Sequence, residues 1–85
     1  MIIYKDHKLF EIVETYYSEE RKQLLGIGLN GKEYLLKHWC TKEESNLICE
    51  LIIEQLERNK VVDLDSILRN IDNMKNYLNN ESEEN

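Results

Sequence analysis

Residues Gly26 to Gly31 read GIGLNG, the GxGxxG spacing that receives a dinucleotide pyrophosphate when a strand precedes it and a helix starts among the glycines. The chemistry depends on that order, because the free amides of the helix start hold the phosphate. Here KEYLLKHW follows the glycines and reads as a strand. Asn30-Gly31 between two apolar runs is a strong hairpin signal. The expected reading is therefore a hairpin with a two-residue type I′ turn, in which Leu29 pairs with Lys32, Ile27 with Tyr34, Leu25 with Leu36 and Gln23 with His38. Alternation then puts Leu24, Gly26 and Gly28 on an outer face with Glu33, Leu35, Lys37 and Trp39, and leaves a shallow dent beside Leu35 and Glu33.

Other reactive types are sparse. His38 and Cys40, with Cys49 or His7, could supply zinc ligands, but no CxxC or HxxxH pair fixes two of them locally. Cys49 is expected as a buried helix residue, Cys40 at a strand end and His7 in solvent. A His38–Cys40 base and nucleophile pair has no third group to orient it. Asp63 and Asp65 stand at a helix start, where free amides and the helix dipole favour an acid. Between residues 25 and 56, Lys37 and a following helix that carries Glu50 resemble the lysine–glutamate pairing of a kinase small lobe. Against that likeness, Lys37 follows the glycines too soon, Glu33 replaces the usual valine, and no HRD or DFG segment exists to supply a base or a metal ligand. No catalytic, cofactor-binding or metal-binding residue is expected, and the chain reads as a non-enzyme.

A different pattern stands out after residue 41. Glu43, Glu50, Glu54 and Glu57 fall within about 60° of one another at 100° per residue, an acidic stripe along one helix face. Like charges at these spacings repel by a few tenths of a kcal/mol per pair, so helix stability alone does not select them. The stripe is either a solvated face that keeps the chain soluble or a surface for a basic partner. On the same helix Leu47, Ile48, Cys49, Leu51, Ile52, Ile53 and Leu56 spread over about 240°, more than one contact can cover. That helix is expected either between the sheet and a second helix or partly covered by another chain, with Cys49, Ile53 and Leu56 as the homodimer contact.

The elements that position these groups follow from local signals. Residues 9–17, LFEIVETYY, are β-branched and aromatic and read as a strand; Leu9, Ile12, Val13 and Tyr16 also sit at helical spacing, which leaves a short helix as the alternative. Thr41 to Glu44 form a capping box that starts a helix near residue 42 and carries it to Asn59. Asp63 or Asp65 caps a second helix whose apolar stripe is Leu64, Ile67, Leu68, Ile71, Met74 and Leu78. The expected fold class is α+β: a three-stranded antiparallel meander followed by two helices packed on one face, in a single domain over residues 1–78. Residues 79–85, NNESEEN, are expected as a disordered acidic tail.

Composition bounds the function. Leu, Ile, Val and Phe make up 25 of 85 residues, enough for one thin core. The net charge of −6 belongs to the second half: residues 1–40 hold six acids and six bases, residues 41–85 eleven acids and five bases. Nucleic acid is a poor direct ligand for such a chain, since phosphate contacts require clustered Lys and Arg. MIIYKDHK reaches charge at its fifth residue with no long apolar run behind it, so no signal peptide or membrane span is expected, and two cysteines without an export signal fit a reduced cytoplasm.

In length, acidity, low Gly and Pro content and order of elements, with its TKEE-capped helix, four glutamates and acidic tail, the chain resembles the small acidic inhibitors that phages encode against host defence enzymes. Anti-CRISPR proteins are among these, and several imitate nucleic-acid charge. The resemblance implies a cofactor-free binding protein that engages a larger basic partner, with Glu43, Glu50, Glu54 and Glu57, together with Leu35 and Trp39 of the outer sheet face, as the contact residues.

Overall fold

The chain runs β1 (Ile2–Lys5), β2 (Lys8–Ser18), β3 (Gln23–Gly28), β4 (Glu33–His38), α1 (Lys42–Leu56), β5 (Val61–Asp63) and α2 (Leu64–Glu84) in the computed structural model, which describes residues 1–84 and their side chains as far as residue 75. The disordered tail expected over residues 79–85 lies outside the residues whose side chains are described. Among the described residues no helix is long and apolar enough to cross a membrane.

The class is α+β as expected, but the sheet has five strands in the order β4-β3-β2-β1-β5 rather than three. Strands β1 to β4 are antiparallel neighbours, and β5 joins the far edge parallel to β1, with Ile2, Ile3 and Tyr4 opposite Val61, Val62 and Asp63. The segment read as strand or short helix is the long central strand β2. The two additional strands are IIYK and VVD. Each is too short to show an alternation of its own, and each exists because the sheet edge beside it supplies the ladder.

The type I′ turn falls elsewhere than expected. Asp6 and His7 both hold positive φ, 51° and 64°, and join β1 to β2 in the tight hairpin whose last pair is Lys5–Lys8. At Asn30-Gly31 only Gly31 has positive φ, 79°. The Gly28 carbonyl accepts from the Gly31 amide at 3.0 Å, and the Gly28 amide donates to the Lys32 carbonyl at 2.9 Å. The loop is thus the three residues Leu29-Asn30-Gly31, closed by a left-handed glycine. That extra residue shifts the expected pairs: Ile27 faces Glu33, Gly26 faces Tyr34 and Leu25 faces Leu35, until a bulge at Leu36 restores Gln23 opposite His38.

The faces change accordingly. Leu24, not Leu25, joins the core, and a Cβ placed on Gly26 would lie 3.1 Å from Ile12 and 3.4 Å from Leu36, so Leu24, Gly26 and Gly28 look toward the helices. The expected dent on the outer face does not exist: on the helix side Ile12 and Tyr34 occupy the space the glycines leave. A second bulge between Ile12 and Glu14 flips the alternation of β2, so that Phe10 and Ile12 before it and Tyr17 after it all pack on the core. Leu9 and Val13, two of the residues that suggested a helix, are exposed.

Ile3, Ile12, Leu24, Leu36, Cys40, Ile48, Ile52, Val62, Leu64, Ile67 and Ile71 form one buried cluster, to which both helices contribute. The architecture is two layers: a sheet covered on one face by α1 and α2, with the other face bare. On α2 the expected stripe holds for Leu64, Ile67 and Ile71, while Met74 is exposed and Leu78 lies outside the described side chains.

Candidate interaction surfaces

Helix α1 begins at Thr41, whose side-chain oxygen accepts the Glu44 amide at 3.1 Å. The expected return bond from Glu44 to the Thr41 amide is replaced: the carboxylate accepts the Thr41 hydroxyl at 3.3 Å and pairs with Lys75 of α2 at 2.7 Å. Its second oxygen, Oε2, is buried with no hydrogen-bond partner among the described residues. Helix α1 ends at Leu56 rather than at Asn59, with the Asn59 amide bonded to the Gln55 carbonyl.

Burial pushes the Glu44 carboxyl up, but the Lys75 hydrogen bond and charge, with Lys37 and Thr41 adding to them, hold it below its ordinary value of 4.5. A depressed folded-state value means that its stabilising contribution is complete above that ordinary value and is lost as pH falls through the folded one. Lys75→Met is expected to cost about 1–3 kcal/mol near neutral pH by leaving a mostly buried carboxylate without its cation. In thermal unfolding followed from about pH 7 to 3, the gap between variant and wild type narrows as Glu44 protonates. A gap that widens in acid contradicts the pairing.

The four stripe glutamates, Glu43, Glu50, Glu54 and Glu57, are all exposed and lie on the side of α1 opposite its buried Ser45, Ile48 and Ile52. Glu54 pairs with Arg58 at 3.3 Å, four residues on, an exposed contact worth only tenths of a kcal/mol. Glu43, Glu50 and Glu57 form no ion pair among the described residues. Beside the stripe, Ile53 is 60% exposed and Leu56 is 38% exposed, while Cys49 is half-buried with its sulfur 3.9 Å from the Thr15 hydroxyl.

Leu35 and Trp39 are exposed too, but Leu35 does not share a surface with the stripe. Leu35 sits opposite Leu25 on the bare sheet face, on the other layer of the molecule. Leu25 points the same way yet is only 4% exposed. Trp39 lies beyond the end of β4 rather than in it, at φ 53°, with its ring centroid 4.7 Å from that of His38. Positive φ at a bulky residue is strained by about 1 kcal/mol or more. The turn it makes sends His38 outward, where Nδ1 meets Gln23 at 3.0 Å, and drives Cys40 into the core.

That separation disposes of the His38–Cys40 pair as a reactive unit. The Cys40 amide bonds the Lys22 carbonyl, its carbonyl accepts the Tyr17 hydroxyl at 2.7 Å, and its thiol donates to the Thr41 carbonyl at 3.4 Å. Burial, with the Glu44 charge nearby, pushes the thiol above its ordinary value. Asp63 caps α2 by accepting the Ser66 amide and hydroxyl at 3.1 and 2.8 Å, and Asp65 accepts the Asp6 amide at 3.0 Å. Among the described residues no three His, Cys, Asp or Glu side chains converge on one point.

The glycine motif offers no phosphate cradle, because β4 follows it and Gly26 and Gly28 are covered by side chains. A cleft of about 410 Å³ lies between the end of α1 and the start of α2. Most of the residues that line it are polar, and of these Glu54 with Arg58 and Asp63 with Ser66 are already paired; small-molecule sites are mostly apolar with a few convergent polar groups.

Comparison with protein-family models, curated proteins and solved structures finds no match. The functional reading therefore rests on the geometry of these surfaces.

Proposed function

We propose that the protein is a non-enzymatic binding module that engages a larger basic protein through the acidic side of α1 and inhibits or regulates it by covering its basic surface. The observation that carries this reading is the placement of Glu43, Glu50, Glu54 and Glu57 on the solvent side of one helix. Such a line of charge attracts and orients a basic surface at long range. At 1.5 Å per residue the stripe is about 21 Å long, so its average spacing is about 7 Å per charge, roughly twice the 3.4 Å per charge of one DNA strand. The Arg58 pair thins it further. A basic groove in a protein is therefore a closer match than full imitation of a duplex, although the likeness to acidic phage inhibitors favours a partner that normally handles nucleic acid.

A second reading uses the apolar flank of α1, where exposed Ile53 and Leu56 with half-buried Cys49 could join two copies as an assembly subunit. Its difficulty is electrostatic, because the same contact brings two acidic stripes together.

The test is capture of a partner by the immobilised protein from an extract of its own cells. The expected capture is a protein of high isoelectric point that is retained at about 0.05 M salt and released at about 0.5 M, where the screening length drops to a few ångström. Retention that ignores salt contradicts an electrostatic contact.

A further inference from the structure

We propose that Asn30-Gly31 is a site of spontaneous covalent modification, at which the chain turns Asn30 into aspartate and isoaspartate, and that the hairpin loop sets the rate. This inference stands independently of the α1 reading. No other asparagine in the sequence is followed by glycine. The reaction joins the backbone nitrogen of Gly31 to the side-chain carbon Cγ of Asn30. The Gly31 amide proton goes to a solvent base, the Cγ–Nδ2 bond breaks, and the side-chain nitrogen takes up a proton and leaves as ammonia. The product is a five-membered cyclic imide. Water then opens the ring at either carbonyl, giving aspartate in one case and isoaspartate, with the backbone rerouted through the side chain, in the other. Water is the only co-reactant.

Glycine in the second position matters because a side chain there crowds the attack. The tip of this loop is open: Leu29, Asn30 and Gly31 are all exposed, and nothing stands within 4 Å of the place a Gly31 Cβ would occupy. Yet the folded loop engages both reacting groups. The Gly31 amide donates to the Gly28 carbonyl at 3.0 Å, and the Asn30 Oδ1 accepts the Lys32 amide at 3.0 Å. The nucleophile is the deprotonated amide, and a hydrogen-bonded amide gives up its proton to a solvent base only when its bond opens, the rule that governs amide hydrogen exchange. Attack on Cγ therefore waits for the turn to open. That opening is confined to the loop tip and does not require the core to unfold.

The product changes the hairpin. Asn30 lines a shallow hollow with Glu11, Leu29 and Tyr34, and its Nδ2 donates to the Tyr34 hydroxyl at 3.5 Å. Conversion replaces that donor by a carboxylate near Glu11, and one more acid takes the formal net charge from −6 to −7. Isoaspartate also adds a methylene to the backbone of a loop whose length decides which residues of β4 pair with β3.

The test incubates the folded chain, and the same chain unfolded in guanidinium chloride, in a warm, mildly alkaline buffer. Peptide mass spectrometry reads conversion of Asn30 as a gain of about 1 Da, and chromatography separates the aspartate and isoaspartate forms. Asn30 converts before any other asparagine in both samples, and roughly tenfold or more slowly in the folded one. That ratio matches the protection of the Gly31 amide against hydrogen exchange, measured on the folded chain. A folded chain that converts as fast as the unfolded one overturns control by the loop, and an Asn30 that stays intact while other asparagines convert overturns the site.

Discussion

Ile12→Ala lowers the stability of the fold by about 3–4 kcal/mol, near the upper part of the range for a fully buried aliphatic residue. Ile12 has no exposed surface and sits on the central strand, where β3 and β1 flank it on either side. The cost of such a truncation depends on how far the neighbours can move into the space. Here the nearest cross-strand neighbour is Gly26, whose missing Cβ would lie 3.1 Å from two Ile12 carbons, and a glycine has nothing to move. For a domain this small, whose total stability is of order 5–10 kcal/mol, the loss is a large fraction of the whole. Urea unfolding with an unchanged slope measures it. Gly26→Ala supplies an internal check: destabilising alone, it becomes nearly neutral in the Ile12→Ala background, because the added methyl enters the vacated space. A loss under about 1 kcal/mol for Ile12→Ala, below the range for truncating a buried aliphatic residue, places Ile12 outside the core.

Gly28→Val costs about 2–3 kcal/mol by overpacking. A Cβ at Gly28 would stand 2.9 Å from the Tyr34 ring, 3.0 Å from the Asn30 side-chain oxygen and 3.2 Å from the Glu11 carbonyl. The Asn30 side chain can swing away and the Tyr34 ring can yield only by disturbing its tilted contact with Phe10, 4.9 Å between centroids. The Glu11 oxygen belongs to the neighbouring strand and cannot yield without distorting the ladder. This substitution discriminates between the two faces of the hairpin. Were Gly26 and Gly28 on the bare face, as simple alternation from a two-residue turn implies, the introduced valine would project into solvent and raise strand propensity. A neutral or stabilising result by thermal unfolding contradicts the observed register.

These two residues show where the sequence was readable and where it was not. The segments Lys8–Ser18, Gln23–Gly28 and Glu33–His38 announce themselves by β-branched and aromatic content and by the turn residues between them. Thr41 and Asp63 mark helix starts through hydrogen bonds confined to one turn, and the i,i+4 spacing of Glu54 and Arg58 is likewise local. What failed was phase. One residue more in the Leu29-Asn30-Gly31 loop, and one in each of the bulges at Val13 and Leu36, reverses which side chains face the helices, and no propensity reports a single inserted residue. Strands β1 and β5 were hidden because short segments borrow their pairing from an edge far away in sequence. The Glu44–Lys75 pair joins two helices whose partners lie far apart along the chain, so only the packing of α1 on α2 reveals it. For the functional surfaces, the glutamate stripe was legible from helical spacing. Its separation from Leu35 was not, since it depends on which layer each occupies.

The central claim is that the solvent side of α1 is the surface that recognises a basic partner. Its most direct measurement compares wild type with a Glu50→Lys, Glu54→Lys, Glu57→Lys variant in affinity capture and titration against the captured partner. All three positions are exposed, so the fold is expected to survive, as far-UV circular dichroism and the unfolding midpoint will report. Each reversal replaces an attraction by a repulsion, and a combined loss of roughly 100-fold or more in affinity is expected, most of it in the association rate at low salt. Binding by a folded variant within about threefold of wild type contradicts the account.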